Sequence, residues 1–131
     1  MSRHVDFLAQ LYRIWGVVFA IVGAAGLALA AGAWAIARMS GPVATGSGVA
    51  AGFTAVVMGG LAVIALAWAA LHVWIGGALL THRPRSRLLA LGLAVGNLPL
   101  LPFGTALGAY GCWVLLHDEG RRVFVPVAPT S

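Results

Sequence analysis

Long apolar runs separated by short polar breaks predict an all-α fold, an integral membrane bundle of four transmembrane helices. The first run covers 14–37 without a charged residue, between Arg13 and Arg38. About 24 helical residues reach ~36 Å, which is enough to cross a hydrocarbon core of ~30 Å. The run is also longer than the apolar segment of a signal peptide, so we expect it to be retained as a span. Residues 1–13 predict an interfacial segment that leads into this span.

The middle of the chain predicts a loop, a second span and a basic turn. Glycine, serine and proline are concentrated in 40–48, which is typical of a loop. The apolar run over 49–80 predicts the second span, although about 32 residues are more than one crossing needs. The arginine-rich stretch 82–87 then predicts a compact turn.

The last apolar block is interrupted by Pro99 and Pro102 near its middle. Each proline removes a backbone donor and clashes with the preceding turn, so two short helices, over 88–101 and 103–117, fit the pattern better than one. They predict a hairpin, with 118–131 as a cytoplasmic tail. Each arm is shorter than a membrane core, which requires a thinned bilayer or arginines that snorkel. The alternatives are a re-entrant hairpin and a three-span chain with one long, kinked last helix.

Composition and charge favour the bilayer over water and predict an orientation. The chain is 61% hydrophobic and 8% charged, against about 25% charged residues in soluble domains. Its net charge of +5 comes from arginines that flank apolar runs, which indicates membrane orientation rather than nucleic-acid binding. With four spans, Arg38 alone lies outside and both termini are cytoplasmic. Three spans would also place Arg121 and Arg122 outside, so the positive-inside rule favours four.

Glycines at helical spacing predict how the last two helices pack. Gly92 and Gly96 form a GxxxG pair on the third helix, and Gly104, Gly108 and Gly111 line one face of the fourth. Small residues let helix backbones approach closely in a membrane, where apolar contact alone drives no association. We expect the two glycine faces to meet each other, because neighbouring helices usually pair; contact with another chain is the alternative. Small residues recur in the first two helices at Gly23, Gly26, Ala30, Gly48 and Gly52.

Polar residues within the predicted spans are few, and His72 is the strongest candidate among them for a functional role. A neutral imidazole beside tryptophans is a possible axial ligand for haem or chlorophyll, with His117 as a partial match for a second ligand. A histidine bonded to a backbone carbonyl or to interfacial water is the favoured interpretation. Asn97 is expected to bond carbonyls left unpaired by the prolines, or to cap across to Thr105.

Catalytic chemistry has no recognisable pattern in this chain. No carboxylate lies within a predicted span, which argues against proton-coupled export, and the spans offer too few hydroxyls and amides for a wet pore. Cys112 is the single cysteine, so an intrachain disulfide and a cysteine-based metal site are excluded. Arg83, Arg85 and Arg87 form a basic cluster that we expect to contact anionic lipid headgroups.

The stretch 98–116 reads Leu-Pro-Leu-Leu-Pro-Phe-Gly-Thr-Ala-Leu-Gly-Ala-Tyr-Gly-Cys-Trp-Val-Leu-Leu. It resembles a motif, Pro-Phe/Leu-Gly-Thr-x-Leu-Gly-x-Tyr-x-x-Trp-Val-Leu, of small bacterial four-helix membrane proteins without an assigned activity. Ala109 stands where a large aliphatic residue is usual. The resemblance implies four spans and the bacterial inner membrane, and it brings no activity, cofactor or catalytic residue.

The sequence therefore predicts a non-enzymatic membrane protein, an accessory or scaffold subunit of a larger complex. The glycine-rich helix faces and the apolar tail at 123–127 indicate contact with other membrane subunits or self-association, besides the lipid bilayer. The alternative function is a haem- or chlorophyll-binding membrane protein that uses His72.

Overall fold

The computed structural model describes residues 2–39, 46–100 and 102–124, and this part of the chain is helical without strands. The all-α class is therefore confirmed. The helices are α1 (Ser2–Met39), α2 (Gly46–Leu79), α3 (Pro84–Asn97), α4 (Phe103–Leu116) and α5 (Asp118–Arg122). In the described ranges α1 and α2 contain the candidate membrane spans, Arg3–Met39 and Gly46–Leu79, by length and apolar composition. α3 and α4 have 14 residues each, or about 21 Å of helix.

The first two helices differ from the predicted spans at their N-terminal ends. The predicted interfacial residues from Ser2 onward and the predicted span 14–37 belong to one helix, because α1 is continuous from Ser2 to Met39. No glycine or proline interrupts the helix before Gly16, so nothing breaks its hydrogen bonding there. α2 covers Gly46–Leu79 where the pattern predicted 49–80. Of the predicted loop 40–48, residues 40–45 lie outside the described part of the chain.

The hairpin helices are also shifted from their predicted limits. α3 starts at Pro84 rather than at 88, because proline suits the first turn of a helix, and it ends at Asn97 rather than at 101. Leu98 still has helical backbone angles, but Pro99 has no amide hydrogen to donate to the turn before it, which favours an end ahead of Pro99. α4 covers Phe103–Leu116 against the predicted 103–117. The expected tail 118–131 begins with α5, and residues 125–131 lie outside the described part.

The chain divides into two compact units. One consists of Met1–Trp15 and Leu71–Ser131 and contains the start of α1, the end of α2, and α3 to α5. We call it the terminal unit. The other, Gly16–Ala70, contains the remainder of α1 and α2, and we call it the two-helix unit.

Small residues form the contact between the helices of the two-helix unit. A Cβ added at Gly26 would lie 3.0 Å from Cβ of Ala62, and one at Gly59 would lie 3.7 Å from Cβ of Ala30. Ala62 is buried, whereas large apolar side chains of the same helices are exposed, among them Ile21 at 65%, Phe53 at 72% and Ile64 at 66%. The seam between the two helices is therefore built of small residues, whereas large apolar side chains face outward.

The terminal unit has large side chains in its core, contributed by four helix segments. Its large buried apolar and aromatic members include Val5, Leu8, Tyr12, Leu79, Leu93, Val114 and Leu115. α3 and α4 pack at close range because α4 carries glycine where they touch. A Cβ at Gly108 would fall on the carbonyl oxygen of Ala94, and one at Gly111 would lie 3.0 Å from Cβ of Ala94.

Two tight turns connect α2 to α3 and α3 to α4. In the first, His82 has φ of +50°, in the left-handed region that favours glycine, and it is the one residue other than glycine with positive φ in the described part of the chain. In the second, the hydroxyl of Thr105 donates to the carbonyl of Leu98 at 2.6 Å, and the amide of Leu100 donates to the carbonyl of Asn97 at 3.0 Å. These bonds close the hairpin between the two short helices.

Candidate functional site

Tyr12 of α1, His72 of α2 and Asn97 of α3 meet in the core of the terminal unit, and each side chain is fully buried. Nε2 of His72 lies 3.0 Å from Nδ2 and 3.2 Å from Oδ1 of Asn97. The Tyr12 ring meets the imidazole edge-on, with centroids 5.7 Å apart. The Tyr12 hydroxyl donates to the carbonyl of Ala90 at 3.1 Å. We call Tyr12, His72 and Asn97 the polar cluster.

The polar cluster links three helices. If one of its side chains is replaced by an apolar one, a buried polar partner is left without its contact. Each of its polar groups is withdrawn from solvent, and a buried group without a partner costs free energy. The cluster therefore favours one rotation and one register of α1, α2 and α3. Because none of the three side chains has exposed surface, no substrate reaches them in this conformation.

The predicted role of His72 as an axial ligand for haem or chlorophyll stays a prediction, and the surroundings of Nε2 do not favour it. A metal would require a ring nitrogen with a free lone pair, and Nε2 is in contact with the Asn97 amide. Ligation through Nε2 would require that amide to move and the packed core around the ring to open. His117, the partial match for a second ligand, is exposed beyond the end of α4.

Asn97 differs from both of its predicted roles. Its side chain bonds His72 rather than the carbonyls near the prolines, and Thr105 is engaged with the carbonyl of Leu98. The sequence interpretation missed this pair because 25 residues separate its members. The available signal was that both are strongly polar residues in otherwise apolar stretches, where a polar side chain needs a partner.

The three glycines of α4 are buried, whereas those of α3 contribute less to packing. Gly104, Gly108 and Gly111 are all buried. On α3, Gly96 is half-buried and Gly92 is exposed, with no atom within 4 Å of an added Cβ. The predicted contact between two glycine faces is therefore not formed as expected, because Gly92 does not lie against the glycine face of α4.

Side chains and backbone of α3 supply the other half of this contact instead. An added Cβ at Gly104 would lie 2.8 Å from the carbonyl oxygen of Asn97, and one at Gly108 would lie 3.2 Å from the amide nitrogen of Leu98. Ala94, which is fully buried, lies opposite both Gly108 and Gly111. The α3 surface is thus made of Ala94 and the backbone that leads to the turn.

The three arginines of the basic cluster have two different positions. Nε of Arg87 donates to the carbonyl of Leu115 at 2.9 Å, at the end of α4 where carbonyls lack helical partners. Arg83 and Arg85 are exposed, and neither guanidinium has a hydrogen bond or an ion pair among the described residues. The Arg87 bond also shows that the hairpin returns the end of α4 to the start of α3.

Arg83 and Arg85 border a cavity of about 510 Å³ in the terminal unit. Its other walls are almost entirely apolar. We call this cavity the basic groove, and the residues that define it are Val73, Trp74, Thr81, Arg83, Arg85 and Leu89.

A second cavity of about 320 Å³ lies between the start of α1 and α4 in the same unit. We call it the aromatic groove, and its main walls are Phe7, Ile14, Trp15, Phe103, Leu107 and Tyr110. Tyr110 and Trp15 carry the polar atoms among these walls. The Tyr110 hydroxyl lies 3.1 Å from Nδ1 of His4 and so already has a partner.

Charged and metal-ligating side chains do not form a catalytic constellation in the described part of the chain. No group of three His, Cys, Asp or Glu residues there could hold a metal ion. Nε2 of His82 lies 3.4 Å from a carboxylate oxygen of Asp6, and Arg121 lies 3.8 Å from Asp118. Cys112 is a half-buried free thiol.

No family model, curated protein or solved structure matches this chain. The motif resemblance of 98–116 therefore stays a prediction, and the geometry of the two units carries the functional interpretation.

Proposed function

We propose that this chain is a small integral membrane protein without catalytic activity, and that it serves as an accessory or scaffold subunit of a larger membrane complex. The observation that carries the proposal is the residue distribution of the two-helix unit. There Gly23 and Ala62 are buried while Ile21 and Ile64 are exposed.

This distribution is unfavourable in water and favourable in lipid. A large exposed apolar surface is a liability for a soluble protein, because each exposed aliphatic side chain forgoes about 1.5–3 kcal/mol of burial free energy. In a bilayer the same side chains are solvated by acyl chains, and small residues at the seam let the helix backbones approach. α2 contains no Asp, Glu, Lys or Arg over its whole length, which supports insertion.

Four spans, with both termini cytoplasmic in a bacterial inner membrane, are the topology that we propose. It is supported by the hairpin of α3 and α4, which brings Leu115 to Arg87 and so returns the chain to the level of the basic turn. With this topology every arginine except Arg38 lies on the cytoplasmic side. At about 21 Å each, α3 and α4 require a locally thinned bilayer or a partner that covers them.

Cysteine labelling tests the topology. In a Cys112→Ala background, Arg38→Cys is expected to react with a membrane-impermeant maleimide from outside the cell, and Arg122→Cys only after permeabilisation. Reaction of both from outside would support three spans. Release of the protein from membranes by alkaline carbonate would contradict membrane insertion itself.

Site-specific photocrosslinking tests the role as a subunit. A photoreactive amino acid at exposed Ile64 or Phe103 is expected to give a discrete protein adduct in native membranes, and the same variants without irradiation serve as the control. The native mass in lipid nanodiscs extracted directly from membranes is measured in parallel. Lipid adducts alone, together with a mass of one chain, would contradict the subunit role and leave membrane insertion intact.

A further inference from the structure

The basic groove combines apolar walls with two arginines, neither of which has an ion pair with another described residue. Val73 and Trp74 of α2 and Leu89 of α3 line the cavity, together with Arg83 in the α2–α3 turn and Arg85 in the first turn of α3. The third arginine, Arg87, is bonded to Leu115 and does not line the groove. The groove therefore offers both apolar and cationic surface to a single ligand.

Guanidinium groups without partners are suited to an oxygen-rich anion. Neither Arg83 nor Arg85 has an ion pair in the described part of the chain, and the nearby carboxylate of Asp6 lies beside His82. Arginine binds phosphate through paired donors in a planar fork, which makes phosphate the anion that the two side chains fit best. Trp74 beside them is typical of a membrane interface, where an aromatic ring spans apolar and polar surroundings.

We propose that the basic groove binds one anionic phospholipid, with its phosphate between Arg83 and Arg85 and an acyl chain along Val73, Trp74 and Leu89. The inference rests on the proposed membrane location. The cavity of about 510 Å³ is within the usual range for a small-molecule site. An anionic lipid fits both ends of the groove, whereas an apolar peptide would leave the arginines unpaired and free phosphate would leave the apolar wall uncovered.

Native mass spectrometry of the full-length protein tests this proposal, with phosphatidylglycerol and phosphatidylcholine of identical acyl chains as probes. We expect one phosphatidylglycerol per chain and a preference over phosphatidylcholine of about 25-fold, fivefold for each arginine near the surface. Two variants separate the parts of the site. Arg83→Gln with Arg85→Gln is expected to abolish the headgroup preference.

Gly77→Leu addresses the apolar wall, because Gly77 lines the groove and has no atom within 4 Å of an added Cβ. A leucine there is expected to occupy part of the cavity and to lower retention of both lipids at least fivefold. The matched charge control is Arg121→Gln with Arg122→Gln, which removes the same charge from α5 and is expected to keep the preference. Circular dichroism verifies the helix content of every variant.

Each contrary result has a separate meaning. If the Arg83/Arg85 and Arg121/Arg122 variants lose the preference for phosphatidylglycerol equally, overall charge explains the preference, and the proposed site in the groove is wrong. Displacement of phosphatidylglycerol by inorganic phosphate at equal concentration, with no effect of Gly77→Leu, would indicate a free-phosphate site and also overturn the proposal. Either result leaves membrane insertion standing, because carbonate extraction tests that independently.

Discussion

Nδ2 of Asn97 lies 3.0 Å from Nε2 of His72, and both side chains are fully buried in the terminal unit. Oδ1 of the same amide lies 3.2 Å from that nitrogen, so the whole amide group faces one edge of the ring. When Nδ2 donates, Nε2 accepts and the ring proton is on Nδ1. The pair joins α2 to α3 by a polar contact between residues that lie 25 positions apart.

Removal of one partner of this pair should cost more than removal of both. Asn97→Leu leaves Nε2 of His72 buried without the amide, and we expect a loss of about 1–3 kcal/mol in the free energy of unfolding. His72→Leu should cost a similar amount, because it leaves the Asn97 amide buried without the imidazole. The double variant His72→Leu/Asn97→Leu replaces both groups with apolar ones and should recover part of the loss. Unfolding in mixed micelles by titration with SDS, followed by circular dichroism, measures all three.

The coupling energy from this double-mutant cycle decides the outcome. Strictly additive losses would mean that the two side chains do not stabilise each other, and the polar cluster would then have no role in helix register.

The close contact of α3 and α4 predicts opposite effects for two glycine substitutions. Gly108→Ala places a methyl group on the backbone carbonyl of Ala94, and we expect it to lower the free energy of unfolding by about 1–3 kcal/mol. Gly92→Ala is the matched control, since its methyl group meets open space and alanine gains up to about 1 kcal/mol of helix propensity. Thermal unfolding in mild detergent compares them. Equal stability of the two variants would contradict the observed α3–α4 contact.

The seam of the two-helix unit predicts a similar contrast. Gly26→Leu forces a side chain into Ala62, whose Cβ is already 3.0 Å from an added Cβ, and should destabilise the helix pair by about 1–3 kcal/mol. Gly32→Leu adds the same side chain to an open face and should not destabilise it. Measurements in mixed micelles compare the variants. A larger loss for Gly32→Leu would show that the outer face, not the seam, carries the packing.

The left-handed residue in the α2–α3 turn predicts that glycine is better tolerated there than alanine. His82 has φ of +50°, where a Cβ costs about 1–2 kcal/mol. His82→Gly and His82→Ala both remove the contacts of the imidazole with Asp6 and Phe124, so the difference between them isolates the backbone. We expect His82→Gly to be the more stable by about 1 kcal/mol in the same unfolding assay. The reverse order would be inconsistent with the φ of this turn.

Several features of the fold follow from local pattern. The all-α class comes from long apolar runs, and the hairpin between α3 and α4 comes from two prolines that no single helix accommodates. Pro84 explains why α3 starts earlier than its apolar run, a signal that the placement of a span at 88 did not use. The sequence predicted an interfacial segment leading into the first span, and α1 continues from one into the other because the backbone there has no glycine or proline to stop the helix.

The amino-acid sequence alone determined the secondary structure class, the turns, and the placement of arginine at the ends of apolar segments, because these depend on each residue and its near neighbours. Tertiary structure decided that His72 pairs with Asn97, that Gly108 rather than Gly92 lies in the tight contact, and that Arg87 bonds Leu115 while Arg83 and Arg85 do not. The physical reason is rotation about the helix axis. Successive side chains of a helix point about 100° apart around its axis. Small differences in where helices start and cross therefore decide which side chains meet.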